Sequence, residues 1–153
     1  MACLLDTNVL LRYVHRADPA HADVLAAVHH LRDGGEMLCM APQNGVECWN
    51  VATRPVNRNG FGLTPVQAAR MLDLLEQLFP VLPETPVLYP TWRALVAAAE
   101  VSGVQVHDAR LVAWMQVHRI THLFTLNPRD FARYEPLAGI TVLDLSGALR
   151  SGA

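Results

Sequence analysis

No lysine occurs in the 153-residue chain; all 12 of its Lys-or-Arg residues are Arg. That absence removes several chemistries at once. A Walker A loop needs its Lys on the β- and γ-phosphates. A pyridoxal enzyme needs one for its Schiff base. Phospho-receiver domains, which also carry Asp at strand ends, use a Lys as well. Cysteine is scarce too: Cys3, Cys39 and Cys48 are odd in number, far apart and set in apolar runs. No CxxC pair exists, so the pattern argues against a zinc or disulfide framework and for buried free thiols in a reducing compartment. No apolar stretch approaches the roughly 18 residues that span a bilayer. No charged n-region precedes the first apolar run, so no signal peptide is expected, and the expected location is cytoplasmic. The net charge of −2 excludes bulk counterion-release binding of nucleic acid and leaves only a local Arg-rich face for it.

What the chain does have is apolar material. It is 52% hydrophobic, enough for the core of one domain, expected to span residues 1–150. Residues 2–5 form a short apolar run stopped by Asp6-Thr7-Asn8, which reads as a buried strand followed by a helix start over 7–15. Asp18-Pro19 opens a second helix with a stripe of Val24, Ala27, Val28 and Leu31, closed by Gly34-Gly35. Met37–Ala41 reads as a strand, and Pro42 sits well at a helix start. Residues 54–63 are loop-like. Thr64-Pro65 opens a helix carrying Met71, Leu74, Leu75 and Leu78. Pro80–Leu82 reads as a further strand. Trp92, Leu95, Val96 and Ala99 mark another helix, and Asp108 begins one more. His122–Thr125 and Ile140–Leu143 are expected strands, with a short helical turn at Pro128. Apolar strands alternating with helices predict an α/β fold, a parallel sheet of four to five strands covered on both faces in three layers.

Among the 14 acids, four stand in unusual places. Asp6 and Asp130 lie just past expected strand ends. Glu47 lies in Val46-Glu47-Cys48-Trp49, and Asp108 between Val106-His107 and Ala109-Arg110. Ligands in a parallel sheet bind beyond the carboxyl ends of the strands, where helix starts also gather. Carboxylates converging there would repel one another and need a hard cation, and oxygen-only ligands suit Mg²⁺ or Mn²⁺. Each residue alone has a plainer reading. Asp6 and Asp108 serve as helix caps, Glu47 packs its stem, and Asp130 caps the turn at Pro128.

Taken in order, the motifs carry a resemblance. Leu4-Leu5-Asp6-Thr7-Asn8, Asn44-Gly45-Val46-Glu47, His107-Asp108-Ala109-Arg110 and Thr125-Leu126-Asn127-Pro128-Arg129-Asp130-Phe131 together resemble the acidic motifs of PIN domains. The whole is most similar to VapC-type toxins of type II toxin–antitoxin pairs. The resemblance implies a PIN-like (Rossmann-like) fold and a metal-dependent endoribonuclease. Asp6, Glu47, Asp108 and Asp130 would be its catalytic, metal-binding acids, with one or two Mg²⁺ or Mn²⁺ ions. Some relatives place an acid where Asn127 stands, so here Asp130 alone supplies the fourth carboxylate. Thr7, Asn8, Thr125 and Asn127 are assigned supporting roles beside the acids, with capping and turn formation as the plainer reading. The resemblance further implies an RNA substrate, a cognate antitoxin and a homodimer, with no membrane partner.

Arg12, Arg54, Arg58, Arg110 and Arg129 adjoin the acids or their loops, and Arg suits phosphate geometry. Tyr13 and Phe61 offer stacking for single-stranded RNA, with core packing as the alternative. His118 and His122 stand four apart, a zinc spacing on one helix, but Ile120-Thr121 is expected to end the helix between them. The helices at 64–78 and 90–101 are more apolar than a small sheet needs, which marks a partner surface or simply the core. The competing function is a non-catalytic RNA- or metal-binding PIN-like module. A third, phosphotransfer with Asp6 as nucleophile, conflicts with the missing Lys and the Asp-Thr-Asn context. Setting the four site acids aside leaves ten acids against 12 Arg, so the negative total does not speak against RNA.

Overall fold

The computed structural model describes residues 1–151. Four short strands, β1 (Ala2–Leu5), β2 (Met37–Cys39), β3 (His122–Phe124) and β4 (Thr141–Leu143), pair in the order β2-β1-β3-β4. Every pairing is parallel. Around them run α1 (Thr7–Val14), α2 (His21–Asp33), α3 (Pro42–Thr53), α4 (Pro65–Leu78), α5 (Leu88–Ala98), α6 (Val106–His118), α7 (Tyr134–Ala138) and α8 (Leu145–Arg150).

Strand pleating explains why the sheet is covered twice. Successive side chains point to opposite faces. On β1, Cys3 and Leu5 enter one buried cluster with residues of α1, α2, α3, α4 and α8. Leu4, between them, enters a second cluster with residues of α5, α6 and α7. All three β1 side chains are fully buried. The fold is therefore the three-layer α/β/α arrangement expected from the alternating pattern, with four strands. The three cysteines are buried and free. No helix among the described residues is long and apolar enough to cross a membrane.

Three local expectations are corrected. Pro80–Leu82 is not a strand. Val81 forms one isolated bridge with Met40, through Met40 N donating to Pro80 O (3.0 Å) and Leu82 N to Met40 O (3.3 Å). Pro83 follows with no N–H to extend the ladder. Asp108 does not begin its helix. Gly103 (φ +63°) turns the chain into a 3-10 turn over Gly103–Gln105, and α6 continues from Val106, leaving Asp108 inside the first turn. The helix after Asp18 starts at His21, because the Asp18 carboxylate instead holds Ala20 N at 2.8 Å.

The loop after α3 is docked rather than free. Phe61 N donates to Val51 O and Leu63 N to Ala52 O. Gly60 permits this approach, since a Cβ there would lie 2.1 Å from Arg54 O and 2.3 Å from Arg54 Cβ. Gly60→Ala is expected to lower stability by about 1–3 kcal/mol, the range of overpacked sites. Urea denaturation checks this, and an unchanged midpoint would contradict the docking.

Candidate active site

β1 is flanked by β2 on one side and β3 on the other, so the connections leave in opposite directions between β1 and β3. Such a switch point opens a crevice beyond the carboxyl ends of the two strands. Asp6 follows β1 and Thr125 follows β3 at that point. Asp6 N donates to Phe124 O at 2.9 Å, fixing the two strand ends together.

Asp6 is the N-cap of α1 and is buried. Its Oδ1 accepts from Thr7 N at 2.8 Å and its Oδ2 from the Thr125 hydroxyl at 2.7 Å. The capping reading and the site reading thus coexist in one residue. Asn8 Nδ2 reaches Thr125 Oγ1 at 3.5 Å, and Asn8 Oδ1 accepts from Leu126 N at 3.3 Å. Asn127 N donates to Thr125 Oγ1 at 3.0 Å. Thr125 is therefore the junction that ties the β3 loop to Asp6. Asn127 contributes its backbone here while its side chain is exposed.

Glu47 is anchored separately. Its carboxylate accepts from the Thr7 hydroxyl and from Gln43 Nε2 at 2.8 Å. Thr7 Oγ1 in turn accepts from Asn44 Nδ2 at 3.1 Å. Gln43 Nε2 also donates to His107 O at 2.8 Å, joining α3 to the start of α6 beside Asp108. Gln43 was not singled out by sequence, and Asn44 appeared only within the Glu47 motif. Both are buried polar residues, and in a short apolar-flanked helix start that combination was the available signal.

The electrostatics show how close the acids are. Burial pushes the Asp6 carboxyl up to about 6; the Thr125 and Thr7 hydrogen bonds oppose this, and repulsion from Glu47 and Asp130 adds to it. Burial likewise pushes Asp108 up to about 7, reinforced by Asp6, Asp130 and Glu47 and opposed by Arg133. Asp130 lies at the end of the 3-10 turn Pro128–Asp130 and is exposed. The four acids predicted from sequence are thus mutual electrostatic neighbours from four separate chain segments.

Their donor chemistry fits a hard divalent cation. The set is all oxygen, and the repulsion that adds to burial in raising Asp6 and Asp108 is what a cation relieves. Among the described residues, no group of three or more His, Cys, Asp or Glu side chains is placed to hold a metal ion. Mg²⁺ does not need such a group, because it keeps several waters and binds through one or two carboxylates plus substrate phosphates.

The cationic residues divide. Arg110 is inside the network, with Nη1 donating to Gln43 Oε1 at 3.0 Å and Nη2 2.9 Å from Glu84 Oε1. Arg12 is turned back on its own helix, donating to Asn8 O at 3.2 Å near Asp18. Arg54 is half-buried, with Nε enclosed and without a partner among the described residues. Its backbone and Cβ close the loop against Gly60. Arg58 and Arg129 are exposed. Sequence reasoning missed Arg133, whose charge opposes the rise of Asp108. It is half-buried, hydrogen-bonded to Gln105 and 5.6 Å over the Tyr134 ring. Tyr13 packs edge-on against Phe79, and Phe61 lies against His15, so both aromatics are structural. His118 binds Pro83 O and His122 pairs with Thr121 beyond the helix end, so the two do not converge.

The PIN domain family model matches residues 3–136. The chain belongs to the PIN domain family. The match takes in all four acids of the switch-point crevice. No curated protein sequence matches the chain. Among solved structures, this PIN domain is similar to a chain of the VapBC2 complex from Rickettsia felis bound to promoter DNA. The TM-score is 0.70 at 13% identity, covering 94% of this chain and 98% of that one. It is similar to a chain of VapBC-1 from nontypeable Haemophilus influenzae (TM-score 0.68, 18% identity, 95% and 99% covered). It also resembles VapC20 of Mycobacterium tuberculosis, described as a sarcin-ricin loop cleaving toxin (TM-score 0.56, 18% identity, 79% and 86% covered). At these identities the likeness is one of fold.

Proposed function

We propose that this PIN domain, folded as one unit over residues 1–150, is a divalent-metal-dependent endoribonuclease and the toxin of a type II toxin–antitoxin pair. The observation that supports the reading is that Asp6, at the end of β1, and Asp108, in the first turn of α6, are both raised by burial, with Glu47 and Asp130 adding to each shift. Asp6, Asp108 and Glu47 would hold one Mg²⁺ or Mn²⁺, and Asp130 would help to hold a second. A bound divalent ion supplies an acidified water and neutralises charge developing on the phosphate.

The chain's own residues do the rest. Thr125 and the Thr7 amide hold the Asp6 carboxylate in one orientation, and each carboxylate oxygen keeps a lone pair for a further partner. Thr7, with Asn44 behind it, and Gln43 do the same for Glu47. Arg133 offsets the charge on Asp108 and keeps more of it ionised near neutrality. Of the five Arg residues predicted beside the acids, Arg129 at the β3 loop and Arg58 at the α3 loop are the exposed ones that could meet the RNA backbone.

The resemblance to chains of VapBC complexes supports a cognate antitoxin, and the chain carries apolar surface for partners. Met40, Val46, Trp49 and Val81 help to line a groove of about 460 Å³, and Trp49, Val46 and Val81 are exposed. A homodimer and a cytoplasmic location belong to the same proposal. The second reading, a non-catalytic RNA- or metal-binding module, draws on the absence, among the described residues, of three or more such side chains placed to hold a metal ion.

Incubation of the purified chain with tRNA, rRNA and synthetic RNA separates the two. Cleavage is expected with Mg²⁺ or Mn²⁺ and none with EDTA. Cleavage that survives EDTA would overturn the metal-dependent reading, and binding without cleavage in every RNA would favour the module.

A further inference from the structure

Two cavities meet beside the crevice. One, of about 410 Å³, is lined by Gln43, Glu84, His107 and Arg110, of which Gln43 bonds Glu47 and His107 adjoins Asp108 in sequence. The other, of about 290 Å³, shares Glu84 and Arg110 and continues to Tyr89 and Trp92. The Arg110 guanidinium bridges the two, bonded to Gln43 on one side and to Glu84 on the other. Gln43 is itself a partner of Glu47. The outer cavity is therefore joined to the candidate acids through two side chains.

The walls of the outer cavity have the features that receive an unstacked base. Tyr89 and Trp92 lie with ring centroids 5.7 Å apart and planes inclined at 39°. Trp92 Nε1 is spent on Val106 O at 2.9 Å, which fixes the indole plane. Tyr89 is 68% exposed, so one face of its ring is unused by the fold. Aromatic rings and guanidinium planes stack splayed bases, and hydrogen-bonding groups beside them read the base edge. Glu84 is an acceptor for an exocyclic amino group, and Arg110 is a donor for a ring nitrogen or carbonyl. Glu84 and Arg110 are bonded to each other and Arg110 also to Gln43, but the second Glu84 oxygen and the remaining Arg110 N–H groups can still meet a base edge beside the aromatic wall.

We infer that the Tyr89–Trp92–Glu84–Arg110 cavity is a base-binding subsite for one extrahelical nucleotide of a single-stranded RNA. It would set which nucleotide flanks the scissile phosphate. The inference rests on the ribonuclease reading for its meaning in catalysis, but base binding can be read without turnover.

The probes are single-stranded RNA hexamers carrying 2-aminopurine at one position each. They are titrated with the Asp6→Asn chain in Mg²⁺, then with the same chain also carrying Tyr89→Ala or Tyr89→Phe. Fluorescence quenching is expected at one position only. Tyr89→Ala should weaken binding of that hexamer about tenfold to a hundredfold, as loss of one base stack does, and remove the quenching. Tyr89→Phe should retain both, because stacking needs the ring and not the hydroxyl. Unchanged affinity and quenching in Tyr89→Ala would overturn the subsite, as would failure of any hexamer to bind. A loss that accompanies a change in oligomeric state by light scattering would also overturn it, placing Tyr89 against a second copy of the chain instead. Cleavage by the otherwise unaltered chain is scored in parallel. Tyr89-dependent quenching without cleavage would reject the ribonuclease reading and keep the subsite. Cleavage indifferent to Tyr89 would do the reverse.

Discussion

Asp6→Asn is expected to abolish RNA cleavage and, in the metal-free protein at pH 8, to raise the melting temperature. The two effects have one cause. Asp6 is buried, and its carboxyl is pushed up from 3.8 to about 6. Ionising it in the folded chain therefore costs about 3 kcal/mol at pH 8, at 1.36 kcal/mol per unit of pKa. Asn removes that cost while keeping a bond to Thr7 and to Thr125. Its amide oxygen accepts from Thr7 N, and Asn caps helices as well as Asp does. The Thr125 hydroxyl already accepts from Asn127 N and, at 3.5 Å, from Asn8 Nδ2, so it can accept from the new NH₂ group only in place of the long Asn8 contact. With roughly 2–4 °C per kcal/mol for a chain of this size, the gain is at most about 12 °C. Cleavage moves the other way. A charged ligand to the metal becomes neutral, and the loss of several kcal/mol of transition-state stabilisation is about a thousandfold or more in rate. Thermal unfolding in EDTA and an RNA cleavage time course check the two halves. Full activity would remove Asp6 from the site; a lowered melting temperature would remove the account of its burial.

Much of this arrangement was readable because local pattern and tertiary position coincide at the strand ends. Ala2–Leu5 is apolar and stops at Asp6, so a buried strand, a helix cap and a site residue are signalled by the same few letters. The β3 end repeats this with Thr125. What the letters do not carry is the cross-segment wiring. Gln43 matters because it spans Glu47 and the His107 carbonyl, 64 positions away, and no local period records that. Arg133 acts on Asp108 because α7 packs beside α6. Pro80–Leu82 has strand-like composition, but the flanking prolines deny it a ladder. At α8 the sequence pattern is silent instead. Leu145–Arg150 is short and contains Ser146 and Gly147, weak helix formers. It forms because Asp144 accepts from Gly147 N at 2.6 Å and Ala148 is buried in the cluster on the α2 side. The lysine-free composition acquires a structural meaning as well. Arg110 and Arg133 each use two sides of a planar fork or its face, on Gln43 and Glu84, or on Gln105 and Tyr134. A lysine ammonium has no planar fork or face with which to reproduce those contacts.

The stability of the metal-free protein is expected to carry a falling contribution from Asp6 and Asp108 as pH rises from 5 to 8, and Mg²⁺ is expected to restore it. Both groups have folded-state values above their ordinary 3.8, about 6 and about 7. Below about 4 both folded and unfolded chains hold these protons, and no penalty arises. Between about 4 and 7 the unfolded chain releases them first, so it binds fewer protons than the folded chain and stability falls with pH. Above about 7 the full cost is present. His122, lowered by burial, contributes with the opposite sign over the acidic part of this range. The informative quantity is therefore the difference between the unaltered chain and Asp6→Asn/Asp108→Asn, measured by thermal unfolding in EDTA. That difference should widen in favour of the double variant from pH 5 to pH 8. Mg²⁺ binds the ionised carboxylates of the folded chain, and saturation at a hundredfold excess over Kd stabilises it by about 2.7 kcal/mol. At pH 5 protons occupy the same oxygens, so the Mg²⁺-induced rise in melting temperature should be small there, largest at pH 8 and absent in the double variant. A Mg²⁺ shift independent of pH, or one that persists in the double variant, would mean that the ion binds elsewhere on the chain. A difference that narrows toward pH 8 would mean that the two buried carboxyls are not what limits the metal-free fold.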